Sequence, residues 1–341
     1  MKRIGKVIVS MLTAVLLVAC GGGGGGGDDS PAALSGVTIT TDNAEFISAE
    51  ILDSVDVVEG VSSGSTLITG VSVITTGDGF NYRDFVLEQL DKFSTVKQQQ
   101  LSSGVVAVVI PATTEPCGGG GSVTVSGNVA DPMLDTLSAG DTLSLIFNNC
   151  SEEGVLFSGR LELTINTVSA GFDGMPPFEI DISVVMADLS VTDGGSTFSS
   201  DGDMRLALNE DISGNYGATF SGKSVTVREG SRTETLSGYN YALTANDSSG
   251  DYSVDIEGSL ESTVLDGSVS FVTVQTFAGN DFIGTGDPTQ GVLLMTSDFD
   301  GSQARLTAEA DGINVMIEVD ADGDGVFEGT VMSTWGTLNS L

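Results

Sequence analysis

The chain has 341 residues, with 12 Lys+Arg against 47 Asp+Glu, a net charge of −35 and no His. Without imidazole there is no Ser-His-Asp triad, Cys-His dyad or histidine zinc site, and so negative a chain repels the phosphates of nucleic acids and anionic lipids. Hydrophobic residues at 40% still suffice for a packed core, which excludes wholesale disorder.

Lys2, Arg3 and Lys6 precede an apolar stretch, Val7–Ala19, shorter than the ~20 residues of a membrane-spanning helix. It ends in Leu17-Val18-Ala19-Cys20, followed by seven glycines. This basic region, apolar region and lipobox resemble the N-terminus of bacterial lipoproteins. The resemblance implies cleavage before Cys20, acylation of that cysteine and stable anchoring in a membrane leaflet through several acyl chains. Glycine rather than aspartate at Gly21 resembles the sorting pattern of lipoproteins sent to the outer membrane. The alternative is a plain secretory signal with an incidental cysteine. Residues 1–19 are thus expected to be a signal peptide. Residues 20–34 are expected to be a lipidated cysteine with a Gly-rich tether, whose r.m.s. span is ~20 Å. Loss of residues 1–19 takes the net charge to −38.

Asp42–Val58 reads as a helix, with Ile47, Ile51, Val55 and Val58 at helical intervals and Asp42 and Glu45 spaced as a capping box. A second helix is expected over Tyr82–Gln99, with Tyr82, Val86, Leu90 and Phe93 as its apolar stripe. Thr66–Thr76 between them fits neither period. Val105–Ile110 is an apolar run ended by Pro111 and reads as a buried strand.

Export implies an oxidising compartment. With Cys20 acylated, Cys117 and Cys150 are the two thiols left, and they are expected to pair. The closed loop of 34 residues is then worth ~3–4 kcal/mol in the chain-entropy account. Ser122–Val129 and Thr142–Asn148 flank the pair as two neighbouring strands. A redox-active pair would need C-x-x-C spacing or a basic neighbour, and neither is present.

From Cys117 onward the apolar period becomes two. Leu161, Leu163 and Ile165 alternate with polar residues, as do Ile180, Ile182, Val184 and Met186, and Met204, Leu206 and Leu208. Further on come Tyr239, Tyr241 and Leu243; Tyr252, Val254 and Ile256; Val269, Phe271 and Thr273; and Val315, Ile317 and Val319. One buried and one wet face per strand is the pattern of antiparallel sheet. Asp-Gly pairs begin at Asp78, Asp173, Asp193, Asp201, Asp266, Asp300, Asp311, Asp322 and Asp324, and they suit the positive-φ positions of hairpin turns. The expected fold is mainly β: a long antiparallel meander of roughly eleven to thirteen strands. Beyond ~10 strands a twisted sheet curls, splits or closes, so a curled or barrel-like sheet is expected, with two N-terminal helices packed against it. Residues 35–341 are read as one domain, with helices over about 42–100 and strands over about 105–341; a division near residue 112 is the alternative. A transmembrane barrel is disfavoured by lipidation and by only 6% aromatic residues.

The sharpest chemical pattern is Asp320-Ala-Asp322-Gly-Asp324-Gly-Val-Phe-Glu328. Carboxylates at alternate positions around a glycine bend can converge on Ca²⁺, which takes six to eight oxygens at ~2.3–2.6 Å. The pattern resembles the first half of an EF-hand loop. The second half departs from it, because Val331 stands where a bidentate Glu is required, and the flanks read as strands. Asp320, Asp322, Asp324 and Glu328 are therefore either calcium ligands or an acidic hairpin turn.

Catalytic patterns are weak. Without His, a serine nucleophile needs a lysine base. Lys92, Lys97 and Lys223 are the lysines past the signal segment, and none lies in a Ser-x-x-Lys motif. Trp335 reads as a core residue of the last strand. CGGGGSVTVSG at 117–127, LSLIFNNC at 143–150, GRLELTIN at 159–166 and DADGDGVFEGTV at 320–331 resemble β-rich outer-membrane lipoproteins of Gram-negative bacteria, a resemblance that implies no activity. The expectation is a membrane-anchored cell-envelope lipoprotein, held in the membrane through Cys20. It would act as a non-catalytic binding or structural module, stabilised by calcium, with no nucleic acid partner. Its partner would be an envelope protein or a hydrophobic ligand. The alternative is a periplasmic carrier of a lipid or other hydrophobic ligand, with Leu161, Ile165, Ile182, Met186 and Leu206 lining a cavity in the curled sheet.

Overall fold

Alternation of apolar and polar residues becomes a ladder of hairpins in the computed structural model, which describes residues 36–55, 90, 93, 109–131, 137–152, 154–169, 176–193, 196–280 and 287–341. Helix α1 (Ala44–Val55) comes first. The sheet then opens with β1 (Val109–Pro116), β2 (Ser122–Asn128), β3 (Thr142–Glu152), β4 (Val155–Val168) and β5 (Phe178–Asp193). It continues through β6 (Ser196–Glu210), β7 (Asn215–Glu229), β8 (Arg232–Asn246), β9 (Asp251–Ser262) and β10 (Gly267–Asn280). The last strands are β11 (Gln290–Ser297), β12 (Gln303–Ala308), β13 (Asn314–Asp320) and β14 (Gly329–Thr334), followed by a short helix α2 (Trp335–Leu338). All 14 strands lie in one antiparallel sheet in sequence order.

The register aligns the apolar positions on one face. Val123 pairs with Phe147 and Val125 with Leu145. Leu145 pairs in turn with Leu161, and Leu143 with Leu163. Ile165 lies opposite Ile182, and Ile182 opposite Leu206. Val123 and Val125 pack, half-buried, against one continuous core that holds the other side chains and runs on to Val315, Ile317 and Val319 of β13.

The sheet curls around α1. Glu45 accepts a hydrogen bond from Ser333 on β14, and five residues later Glu50 accepts one from Arg232 on β8 at 3.1 Å. β8 and β14 are six places apart in the strand order, ~29 Å in a flat sheet, whereas Glu45 and Glu50 are ~7.5 Å apart along a helix. Both bonds require the strands to wrap the helix, which also packs on β9 and β13.

Curling stops short of closure among the described residues: β1 and β14 are the two edges of the sheet, so of the curled or barrel-like sheet expected, a closed barrel is not formed by them. β1 explains one edge. Its pairing with β2 continues into the Cys117 N–H to Gly121 carbonyl bond, a phase that turns Pro116 to the open side, where proline has no N–H to donate. Pro111 does not end this strand as expected. It lies inside β1, where the register slips between Ile110 and Thr113, because a bulge tolerates a residue without a donor.

Other expectations are corrected in detail. One N-terminal helix, α1, is described, not two. The expected helix over Tyr82–Gln99 lies outside the described residues except for Leu90 and Phe93, both helical and buried, with the Phe93 ring against Gly127 of β2. Thr66–Thr76, Lys92, Lys97, Asp78 and Asp173 also lie outside them, as do residues 1–35 with Cys20. Glu45 bonds to Ser333, and the turn before α1 is tied instead by Asn43, which accepts the Thr40 N–H at 2.8 Å and donates to the Thr38 carbonyl. Asp201-Gly202 sits within β6 at a register shift against β7 and makes no turn. In β10 the core-facing series passes from Phe271 to Phe277, because a bulge displaces Thr273, whose hydroxyl accepts the Ile256 N–H. Trp335 is buried, but in α2, where its indole donates to the Pro288 carbonyl and its ring meets Phe277 edge-on.

Candidate metal centre

The β13–β14 hairpin carries the acidic motif. Asp320 closes β13 with no solvent exposure, and Asp322, Asp324 and Glu328 are exposed on the loop beyond it. The loop coils around the Asp320 carboxylate. Oδ1 accepts the Gly323 N–H at 2.8 Å and the Asp324 N–H at 3.3 Å, and Oδ2 accepts the Gly325 N–H at 2.7 Å. Burial alone pushes the Asp320 carboxyl up, but these N–H groups, with Asp322, hold it below the ordinary carboxylate range. It is thus kept as an anion inside the loop.

Gly323 allows the coil. It has a φ of +73°, and a Cβ there would stand 2.8 Å from the Gly301 carbonyl oxygen. That contact seats the loop on the β11–β12 turn. On its far side Arg305 of β12 lies over the Phe327 ring, 4.4 Å from its centroid, while pairing with Glu318 at 2.6 Å. Phe327 is pinned by this cation–π contact, and so the next residue, Glu328, is placed.

Asp320, Asp322 and Glu328 bring one carboxylate oxygen each within 4.8 Å of one another. Two oxygens bound to one Ca²⁺ at ~2.4 Å are at most ~4.8 Å apart, so the trio fits a shared cation. Asp320 Oδ2 and the other two carboxylates keep lone pairs free of the N–H bonds given above. Asp324, expected as a fourth ligand, stands outside the converging trio, and its Oδ1 accepts the Val326 N–H at 2.8 Å. The trio offers hard oxygen donors of high negative charge, a chemistry that suits calcium and not soft metals.

The second expected feature is formed. Cys117 and Cys150 are joined by a disulfide, with Cα atoms 5.4 Å apart. It straps the glycine loop onto the end of β3, where the Gly119 N–H donates to the Ser151 carbonyl and the Ser151 N–H to the Gly120 carbonyl, both at 2.8 Å. Glu152 stands beside the two sulfurs, but they are spent in the bond and are not thiolate ligands.

The five residues expected to line a cavity, Leu161, Ile165, Ile182, Met186 and Leu206, are all buried in the common core. Sequence reasoning did not find the polar groups that accompany it. Arg232 bridges Glu50 and Glu234, two buried carboxylates. On the outer face Arg205 grips Asp181 through Nε and Nη2 while Asn166 donates to the same carboxylate, and Arg205 is the first cause of that carboxyl's lowered pKa. The Tyr241 hydroxyl is buried with no hydrogen-bond partner among the described residues, and burial, with Tyr239 beside it, pushes its phenol up. Matching acids and bases across strands depends on register, which composition does not carry. No protein-family model matches the chain, and no curated protein matches it in sequence.

Proposed function

We propose that the chain is a cell-envelope lipoprotein, anchored in the outer membrane through acylated Cys20, whose β body is a non-catalytic binding or structural module stabilised by Ca²⁺. The lipobox supports the anchor. The observation that carries the calcium reading is the convergence of Asp320, Asp322 and Glu328 within 4.8 Å, since carboxylates so close repel unless a cation sits between them. Calcium bound only to the folded loop stabilises the whole domain by mass action.

Thermal unfolding tests it. Calcium at ~1 mM, the affinity range of extracellular calcium modules, raises the midpoint of the wild type and leaves that of Asp322→Ala unmoved. Equal shifts in both proteins remove the site.

A further inference from the structure

The up-and-down order of the sheet puts the β9–β10, β11–β12 and β13–β14 turns at the same end. They touch one another. Asp298 donates its N–H to the Ser268 carbonyl, the Gly36 N–H reaches the Asp266 carbonyl, and Gly323 abuts Gly301. Each turn holds out one apolar side chain: Val264 at 42% exposure, Phe299 at 63% and Val326 at 57%. At the opposite end Ile212 and Ile313 are also exposed, but on hairpins that are not neighbours in the sheet. Exposed apolar residues scattered singly need no explanation, whereas adjacent ones mark a contact surface.

The path of the chain says what that surface meets. Gly36 lies directly against the Phe299 ring, Val37 against Gly267, and Thr38 bonds to Asp300. The polypeptide coming from Cys20 therefore enters the domain among these three tips. Gly36 lies sixteen residue steps from Cys20, a reach of at most ~58 Å, so an anchored domain holds this end close to the bilayer at high effective concentration. The same end carries Asp298, Asp300, Asp322 and Glu328, which repel anionic headgroups unless a divalent cation intervenes.

We propose that Val264, Phe299 and Val326 form a membrane-docking surface that seats the tethered domain on the bilayer when calcium occupies the adjoining β13–β14 loop. This rests on the lipid anchor and calcium site proposed above. Docking places the three side chains among the acyl chain ends of the headgroup region, as an interfacial segment does, while the cation bridges loop carboxylates and lipid phosphate.

The test uses the full chain carrying Cys20→Ser, which cannot be acylated, and sedimentation with vesicles of phosphatidylethanolamine and phosphatidylglycerol. Binding in calcium exceeds that in chelator about tenfold or more, and adding Phe299→Ser with Val264→Ser removes most of it. Both substitutions lie away from the metal ligands, so the calcium-induced thermal shift persists in that variant. Binding that is absent in calcium, or undiminished by the two serines, overturns the docking surface. The intact mass of the wild type reads the anchor separately. An unmodified Cys20 beside calcium-dependent vesicle binding defeats the anchor and leaves the surface standing, whereas an acylated Cys20 beside no vesicle binding defeats the surface alone.

Discussion

Thr38 and Asp300, 262 residues apart in sequence, are joined by a hydrogen bond from the threonine hydroxyl to the Asp300 carboxylate. Ser302 adds its N–H and its hydroxyl to the same carboxylate and turns its oxygen to the Ile39 N–H at 2.7 Å. One aspartate thus fastens the incoming chain to the β11–β12 turn.

The consequence is an acid-labile clasp. Partial burial opposes the charge on Asp300, but the donors from Thr38 and Ser302 outweigh it and bring the carboxyl down to about 2. A carboxyl lowered by folding contributes stability above its unfolded value of ~3.9, and that contribution is lost as pH falls from ~4 through ~2. Thermal midpoints of the wild type and Asp300→Asn, measured from pH 5 to pH 2, converge as pH falls. Parallel curves show that the clasp does not hold the fold.

Leu161 sits on β4 with no solvent exposure, opposite Leu145 and Met186. Leu161→Ala removes buried methyl groups and leaves a cavity, costing ~2–5 kcal/mol. Urea unfolding followed by circular dichroism checks it. A loss under ~1 kcal/mol points to a site that collapses or admits water.

The Cys117–Cys150 bridge ties the end of β1 to β3 across β2 at one edge of the sheet. Its removal by Cys117→Ala with Cys150→Ala lowers stability by ~3–4 kcal/mol. Gly121 belongs to the same strap: at φ +72°, its Cβ would stand 1.8 Å from the Asn149 carbonyl oxygen. Gly121→Ala therefore destabilises even with the disulfide intact, by ~1–3 kcal/mol. Unchanged urea midpoints in these variants contradict the strap.

How much of this was legible depends on the length of the pattern. Alternation such as Ile180, Ile182, Val184 and Met186 is a local signal, repeated strand after strand, and each of these residues is buried in β5. Thr273 and Asp201-Gly202 misled because a bulge preserves composition while changing what faces the core, and bulges are set by the partner strand. Pro111 looks like a stop because a proline cannot donate, yet at the sheet margin that defect costs little. Closure was illegible because it requires knowing which strands are edges. The acidic hairpin was visible as a spacing, but which of its carboxylates converge, Asp320, Asp322 and Glu328 without Asp324, depends on how the loop coils. Arg205 with Asp181, and Arg232 with Glu50, join residues far apart in the chain, and no window of sequence places them side by side.

The proposed calcium centre at the β13–β14 hairpin is tested most directly by titrating Ca²⁺ into the full chain in a calorimeter. One saturable site per chain, with a dissociation constant of ~10⁻⁴–10⁻³ M, is the expected result, and the heat disappears in Asp322→Ala. Identical isotherms for wild type and variant, or no heat in either, contradict it.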